Sequence, residues 1–196
     1  MEGYLRGMRF KAIVILFFAF TVCKNISAQT ALLHNYEIST DTQDGSKVLK
    51  GLLNRADIES DTSFKWFKEN MKFGQADASA VSAFQKNASK FQMVVFCGTW
   101  CEDTQNLLPV FYRLIDKSGY PDSSITLIGV DRAKTSLYNL HNLFHIVDVP
   151  TFIVMKDGKE VGRVVEYGKE GQIDKELGEI VNTIQKKSEV RYKKIS

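Results

Sequence analysis

Between residues 91 and 186, short apolar runs alternate with amphipathic segments, and that alternation confines the chain to an α/β layer fold. Residues 91–97, FQMVVFC, are apolar apart from Gln92, the composition of a strand covered on both faces. Past Gly98 and Thr99 the apolar period lengthens. Leu107, Leu108, Phe111, Leu114 and Ile115 predict a helix that ends near Gly119-Tyr120-Pro121. Residues 125–130 read as a second buried strand, and Leu137, Leu140 and Phe144 predict a helix ahead of Val149-Pro150. Residues 151–155 and 161–165 flank Lys156-Asp157-Gly158-Lys159, with Asp-Gly as the turn of a hairpin. A last helix, from about Gln172 to Lys186, would bury Ile173, Leu177, Ile180 and Ile184. The order is strand, helix, strand, helix, strand, strand, helix, and the hairpin gives the sheet an antiparallel edge.

The segment ahead of this block divides in two. From Met8 the chain reads MRFKAIVILFFAFTVCKNISAQ: Arg9 and Lys11, an apolar stretch over residues 12–22, then Ile26-Ser27-Ala28 as a small-residue cleavage site. The apolar stretch falls short of the ~20 residues of a membrane span, so residues 1–28 read as a signal peptide. Val22 makes a poor approach to Cys23 as a lipid acceptor. Residues 29–76 form an N-terminal extension. It opens with an exposed lead-in running into STDTQDGS and continues as a helix capped by Asp61, with Phe64, Phe67 and Met71 on one face. Asp77 caps a second helix carrying Val81, Phe84 and Ala88, and residues 188–196 make a basic, solvated tail.

Removing residues 1–28 takes away Arg6, Arg9, Lys11 and Lys24 against Glu2, a net +3. That equals the net charge of the whole chain, so the mature protein is formally neutral. Its basic pI is therefore no reason to expect nucleic acid or another polyanion as partner. The mature length supports one domain, with no repeat and no long Gly/Pro linker. Only Cys97 and Cys101 remain after maturation, far from a disulfide-rich scaffold.

Three motifs fall on these elements in order. An apolar strand is followed by Gly-Thr-Trp100-Cys101; Pro109 stands eight residues beyond Cys101; and Val149-Pro150-Thr151-Phe152 is followed by Lys156-Asp157-Gly158. With them the chain resembles the thioredoxin family over roughly residues 77–187. The resemblance implies a thioredoxin-like fold, a central mixed sheet flanked by helices, and a cis Val149–Pro150 bond. It also implies thiol–disulfide exchange with protein or small-molecule partners and no cofactor. In that frame Cys101 is the nucleophile and Trp100 covers the active surface. Val149 and Pro150 are the backbone platform for an extended substrate.

The chain departs from the family at two positions. Thr104 stands where a resolving cysteine is expected, and Val95 where the family has a buried acid. The site then reads as monothiol, with the Thr104 hydroxyl placed to donate to the Cys101 thiolate. A helix N-terminus favours that thiolate, while Glu102 and Asp103 oppose it. Two readings stay open for Cys97: a small buried hydrophobe, or a resolving thiol in an unusual Cys-x3-Cys pair. A rival from another class is a binding module for an extended peptide, or for copper or zinc held by Cys97, Cys101, His141 and His145. The gap between Cys101 and His141 far exceeds zinc-finger spacing, and we assign no metal.

Export is directly measurable. Expressed in a Gram-negative cell, the protein should be recovered from the periplasm or medium with an intact mass that begins at Gln29. A retained N-terminus or a lipid on Cys23 would contradict the soluble exported form.

Overall fold

Strand β3 (Gln92–Cys97) is buried from Met93 to its end, as the run of apolar residues requires. It pairs in parallel with β4 (Ile125–Gly129), Val95 facing Leu127, and antiparallel with β5 (Thr151–Lys156), Val95 facing Phe152. A parallel pair needs a crossover. Helix α4 (Glu102–Ser118) supplies it and stops at Gly119, whose left-handed φ of 65° closes the C-terminus while Tyr120 N–H bonds Ile115 C=O. Strand β6 (Lys159–Val165) returns from β5 through Asp157 and Gly158, both at positive φ as a tight hairpin demands.

The computed structural model describes residues 36–193, so the signal peptide expected over residues 1–28 lies outside the described residues. Before β3 come β1 (Tyr36–Thr40), β2 (Lys47–Leu53), α1 (Arg55–Glu59), α2 (Lys65–Asn70) and α3 (Ala78–Asn87). After β4 come α5 (Leu140–Leu143) and, last, α6 (Ile173–Lys193). The sheet order is β1-β2-β4-β3-β5-β6, mixed in direction. This is the thioredoxin-like α/β architecture. No helix among the described residues is long and apolar enough to cross a membrane.

Period-two alternation sends β3 side chains to two different cores. Met93, Val95 and Cys97 join Phe84, Leu108, Phe111, Phe152 and Leu177 in the larger one, which the helices α3, α4 and α6 cover. Val94 and Phe96 join Ile128, Val130, Val149 and Ile153 in a smaller one. Asp77 caps α3 as anticipated, accepting from Ala80 N–H at 2.9 Å, and its own N–H bonds Asp174 on α6 at 2.7 Å.

The N-terminal extension differs from expectation. Part of the exposed lead-in is strand β1, paired with β2 through Ser39 and Val48, and β2 pairs antiparallel with β4. Two of the six strands thus lie before the boundary anticipated at residue 77, and the sheet runs across it. The helix anticipated after Asp61 is a single turn (Thr62–Phe64) followed by α2, with Phe64 and Phe67 buried. It has a specific task. Pro109 inside α4 lacks the N–H that would bond the Gln105 carbonyl, and Asn70 Nδ2 donates to that carbonyl instead, at 3.0 Å. At the far end, α6 continues to Lys193, so the backbone of the anticipated tail is helical that far.

Strand β4 approaches β2 so closely that a Cβ on Gly129 would lie 2.2 Å from the Leu49 carbonyl oxygen. Backbone cannot yield there as a side chain can. In urea denaturation, Gly129→Ala should cost at least about 3 kcal/mol, the upper end of overpacking. Gly162→Ala, which meets only the Ile180 side chain at 3.0 Å, should stay within about 1 kcal/mol.

Candidate active site

Cys101 is the N-cap residue of α4, with extended backbone (φ −88°, ψ 125°) and a partly exposed side chain that makes no capping bond. Its N–H bonds Gly98 C=O at 2.9 Å, and its carbonyl receives Gln105 N–H at 3.0 Å, which closes the turn from strand to helix. The thiol donates to the Val149 carbonyl at 3.3 Å. The Val149–Pro150 bond that follows is cis. That loop is tied down on both sides: Thr151 Oγ1 donates to Asp148 C=O at 2.6 Å, and the Asp148 carboxylate pairs with Lys134 at 2.5 Å.

Trp100 lies across the turn. Its Nε1–H donates to Val130 C=O at 3.0 Å, and its ring rests so close to Gly98 that a Cβ there would come within 2.7 Å of it. The Arg132 guanidinium sits over the indole, 4.7 Å from the ring centroid. Thr99 is buried and stitched to β2, donating to Lys47 C=O at 2.9 Å and accepting from Leu49 N–H at 3.2 Å. Sequence reasoning missed Gly98, Thr99 and Arg132. The side chains that hold Arg132 lie 91 and 88 residues away in the chain, and no local pattern announces such a pairing.

Thr104 does not do what its spacing suggested. It is fully buried, its Oγ1 accepts from Gly98 N–H at 3.2 Å, and among the described residues no hydrogen bond joins it to Cys101. The cause is the N-cap geometry. Extended backbone at Cys101 turns the thiol toward the Val149 loop, while Thr104, one turn into the helix, faces the end of β3. Thr104 therefore braces the turn through the Gly98 N–H.

Cys97 ends β3 with no exposed surface and packs in the larger core, whereas Cys101 packs against the smaller one. Both are free thiols. Burial, and secondarily the Cys101 charge, pushes the Cys97 thiol up to about 12. Val95, at the position where the family has an acid, is likewise sealed in apolar surroundings. The candidate metal set does not assemble: among the described residues no three His, Cys, Asp or Glu side chains come together. His141 instead exchanges hydrogen bonds with Ser136, its Nδ1 accepting from Ser136 N–H at 3.1 Å.

The family described as thioredoxin matches residues 67–179 of this chain. Thioredoxin H2-1 of Oryza sativa subsp. japonica is 27% identical over 103 residues, 53% of this chain and 67% of that protein. Thioredoxin H2 of Arabidopsis thaliana is 25% identical over 95 residues, 48% of this chain and 66% of that protein. Among solved structures, the reduced Schistosoma mansoni thioredoxin pre-protein is 27% identical, with a TM-score of 0.36, and the match covers 55% of this chain and 94% of that one.

The raised Cys97 value makes stability depend on pH. An unfolded thiol ionises near pH ~8.5, while the folded one stays protonated to about 12. The stabilisation from this group is complete below the unfolded value and is lost as pH rises toward the folded one. Urea denaturation between pH 8 and pH 10 should therefore find wild type losing stability more steeply than Cys97→Ala. Parallel slopes would place the Cys97 thiol in water.

Proposed function

The chain belongs to the thioredoxin family, and from that premise we propose that it catalyses thiol–disulfide exchange in an exported compartment through Cys101 as its single nucleophile. One observation carries the reading. The partly exposed Cys101 sulfur opens the 17-residue helix α4 and faces the Val149 carbonyl at 3.3 Å, while Cys97 is sealed on the other side of the sheet. The leader-like residues 1–28 support export to the periplasm or medium.

In the first step the Cys101 thiolate attacks one sulfur of a substrate disulfide. A Cys101–substrate disulfide forms, the substrate S–S bond breaks, and the departing thiolate takes a proton from solvent. An external thiol, protein or small-molecule, then attacks the substrate sulfur of that mixed disulfide, is itself joined to the substrate, and releases Cys101 as thiolate. The protein takes up no net electrons. Ionisation of Cys101 also removes the donor that Val149 C=O holds in the resting state. That carbonyl is then free to accept an N–H from an extended substrate backbone, which orients the disulfide toward the sulfur. Thr104 contributes by bonding Gly98 N–H and so holding the turn that presents Cys101.

Insulin reduction with dithiothreitol tests the proposal. Cys101→Ser should fall to the rate of the reductant alone, and Cys97→Ser should keep the wild-type rate. A trapped mixed disulfide should accumulate on wild type as readily as on Cys97→Ser, since no internal thiol resolves it. Equal rates for wild type and Cys101→Ser would favour a non-catalytic binding module, and a Cys97–Cys101 bridge in the mass spectrum would make the site a dithiol.

A further inference from the structure

The β1–β2 hairpin lies outside the residues that match the family, yet it reaches the reactive turn by three routes. Strand β2 holds Thr99 through Lys47 C=O and Leu49 N–H. Lys50 on the same strand donates to Asp131 at 2.7 Å and to Thr135 at 2.8 Å, which fixes the loop after β4. The third route runs through the turn between β1 and β2. Arg132 Nε donates to Asp41 Oδ2 at 2.5 Å, Nη2 donates to Asp44 Oδ2 at 2.7 Å, and the same guanidinium lies over Trp100.

Each part of this third route is itself held. The Asp41 carboxylate is 3% exposed and also accepts from Gln43 N–H at 2.7 Å, and Asp44 accepts from Ser46 N–H at 2.9 Å. The Arg132 guanidinium, then the Gln43 N–H, keep the Asp41 carboxyl below the usual carboxylate range. Trp100 is fixed by Val130 C=O and by contact with Gly98, and the next residue is Cys101. Two carboxylates face one guanidinium, so Arg132 is satisfied where it stands and offers little attraction to an anionic ligand. A planar fork can bond carboxylates along its edge while stacking an aromatic on its face, and a lysine ammonium cannot.

We infer that Asp41, Asp44 and Arg132 form a clamp that positions Trp100, and with it the surface that a disulfide-bearing polypeptide meets on its way to Cys101. The inference rests on the exchange reading and deepens it, by giving the segment before the family match a part in substrate recognition. Arg132 is a positioning residue: it touches Trp100, not the sulfur.

The two tryptophans are Trp66 and Trp100, so in a Trp66→Phe background the emission belongs to Trp100 alone. Arg132→Ala and Arg132→Lys should both increase acrylamide quenching of that emission. Both should raise the KM for insulin about 2- to 5-fold, the factor a partly exposed cation–π contact corresponds to. Alkylation of Cys101 by iodoacetamide should keep its wild-type rate, because a small reagent needs no ordered indole. The double variant Asp41→Asn/Asp44→Asn should move quenching and KM in the same direction with Arg132 in place. Unchanged quenching in variants with wild-type circular dichroism overturns the clamp, as does an iodoacetamide rate that falls in step with insulin reduction. If wild type itself fails to reduce insulin, the exchange reading falls, and the quenching comparison alone then decides the clamp.

Discussion

Successive residues of a strand point to opposite faces of its sheet, and along β3 that parity divides the two thiols of the described residues, Cys97 and Cys101. Met93, Val95 and Cys97 enter the helix-covered core; Val94 and Phe96 enter the smaller one, where Trp100, Cys101 and Val149 also pack. Pairing on both edges, with β4 and β5, fixes the register. A slip of one residue would exchange the two faces and turn buried residues toward the wrong core. Cys97 is thus committed to surroundings that admit only its neutral form, which is why its thiol is pushed so high. Cys101, four residues on and past the turn, is the thiol that meets solvent.

The helix that begins at Cys101 is not self-sufficient. Pro109 removes one donor from its interior and leaves the Gln105 carbonyl without its helical partner, and an unpaired, partly buried acceptor costs about 1–3 kcal/mol. Asn70 Nδ2 fills the gap, and Arg113 on α4 returns a bond to the Asn70 carbonyl at 2.7 Å. At the other end of the same helix, Thr99 is held by β2. Residues before the anticipated boundary at 77 therefore secure both the start of α4 and its proline turn, and residues 36–76 belong to the same folded unit as the rest of the described chain.

The sequence made one part of this legible and hid another, for physical reasons. Strands β3, β4 and β5 and the long helices announce themselves because their burial is nearly complete and their periods are unbroken. Strand β2, KVLKGLL, places Lys47 and Lys50 among buried residues, and the charges are spent on Asp61 at 2.5 Å and Asp131 at 2.7 Å. A strand whose lysines are paired across the fold does not look like a strand. Strand β1 is mostly exposed and carries little apolar pattern at all. At the site, the motif placed Cys101, Trp100, Val149 and Pro150 around one turn. Spacing alone misassigned Thr104, because distance along a helix says nothing about where an N-cap side chain outside the helical conformation will point. Arg132 was invisible for a further reason: Asp41 and Asp44 read as a solvated polar run, and only the folded sheet brings them to it.

Replacing the resolving cysteine by Thr104 and the buried acid by Val95 changes two things at once, and in our reading they belong together. An internal resolving thiol must be deprotonated inside a covered site, which calls for a nearby proton acceptor. With threonine in place of a resolving cysteine at position 104, a carboxylate at position 95 would have no such thiol to activate. It would also carry a desolvation penalty in the larger apolar core, where Val95 faces Leu127 and Phe152 on the neighbouring strands. Valine removes that penalty and packs the core, and the threonine bonds the Gly98 N–H. The Cys101 thiol donates to the Val149 carbonyl, and in our reading its proton leaves to solvent from a position that is already partly exposed. On the exchange mechanism we propose, resolution falls to whatever thiol arrives from outside. The rate of the second step must then scale with the concentration of that thiol, whereas an internal resolving cysteine would make it independent of concentration.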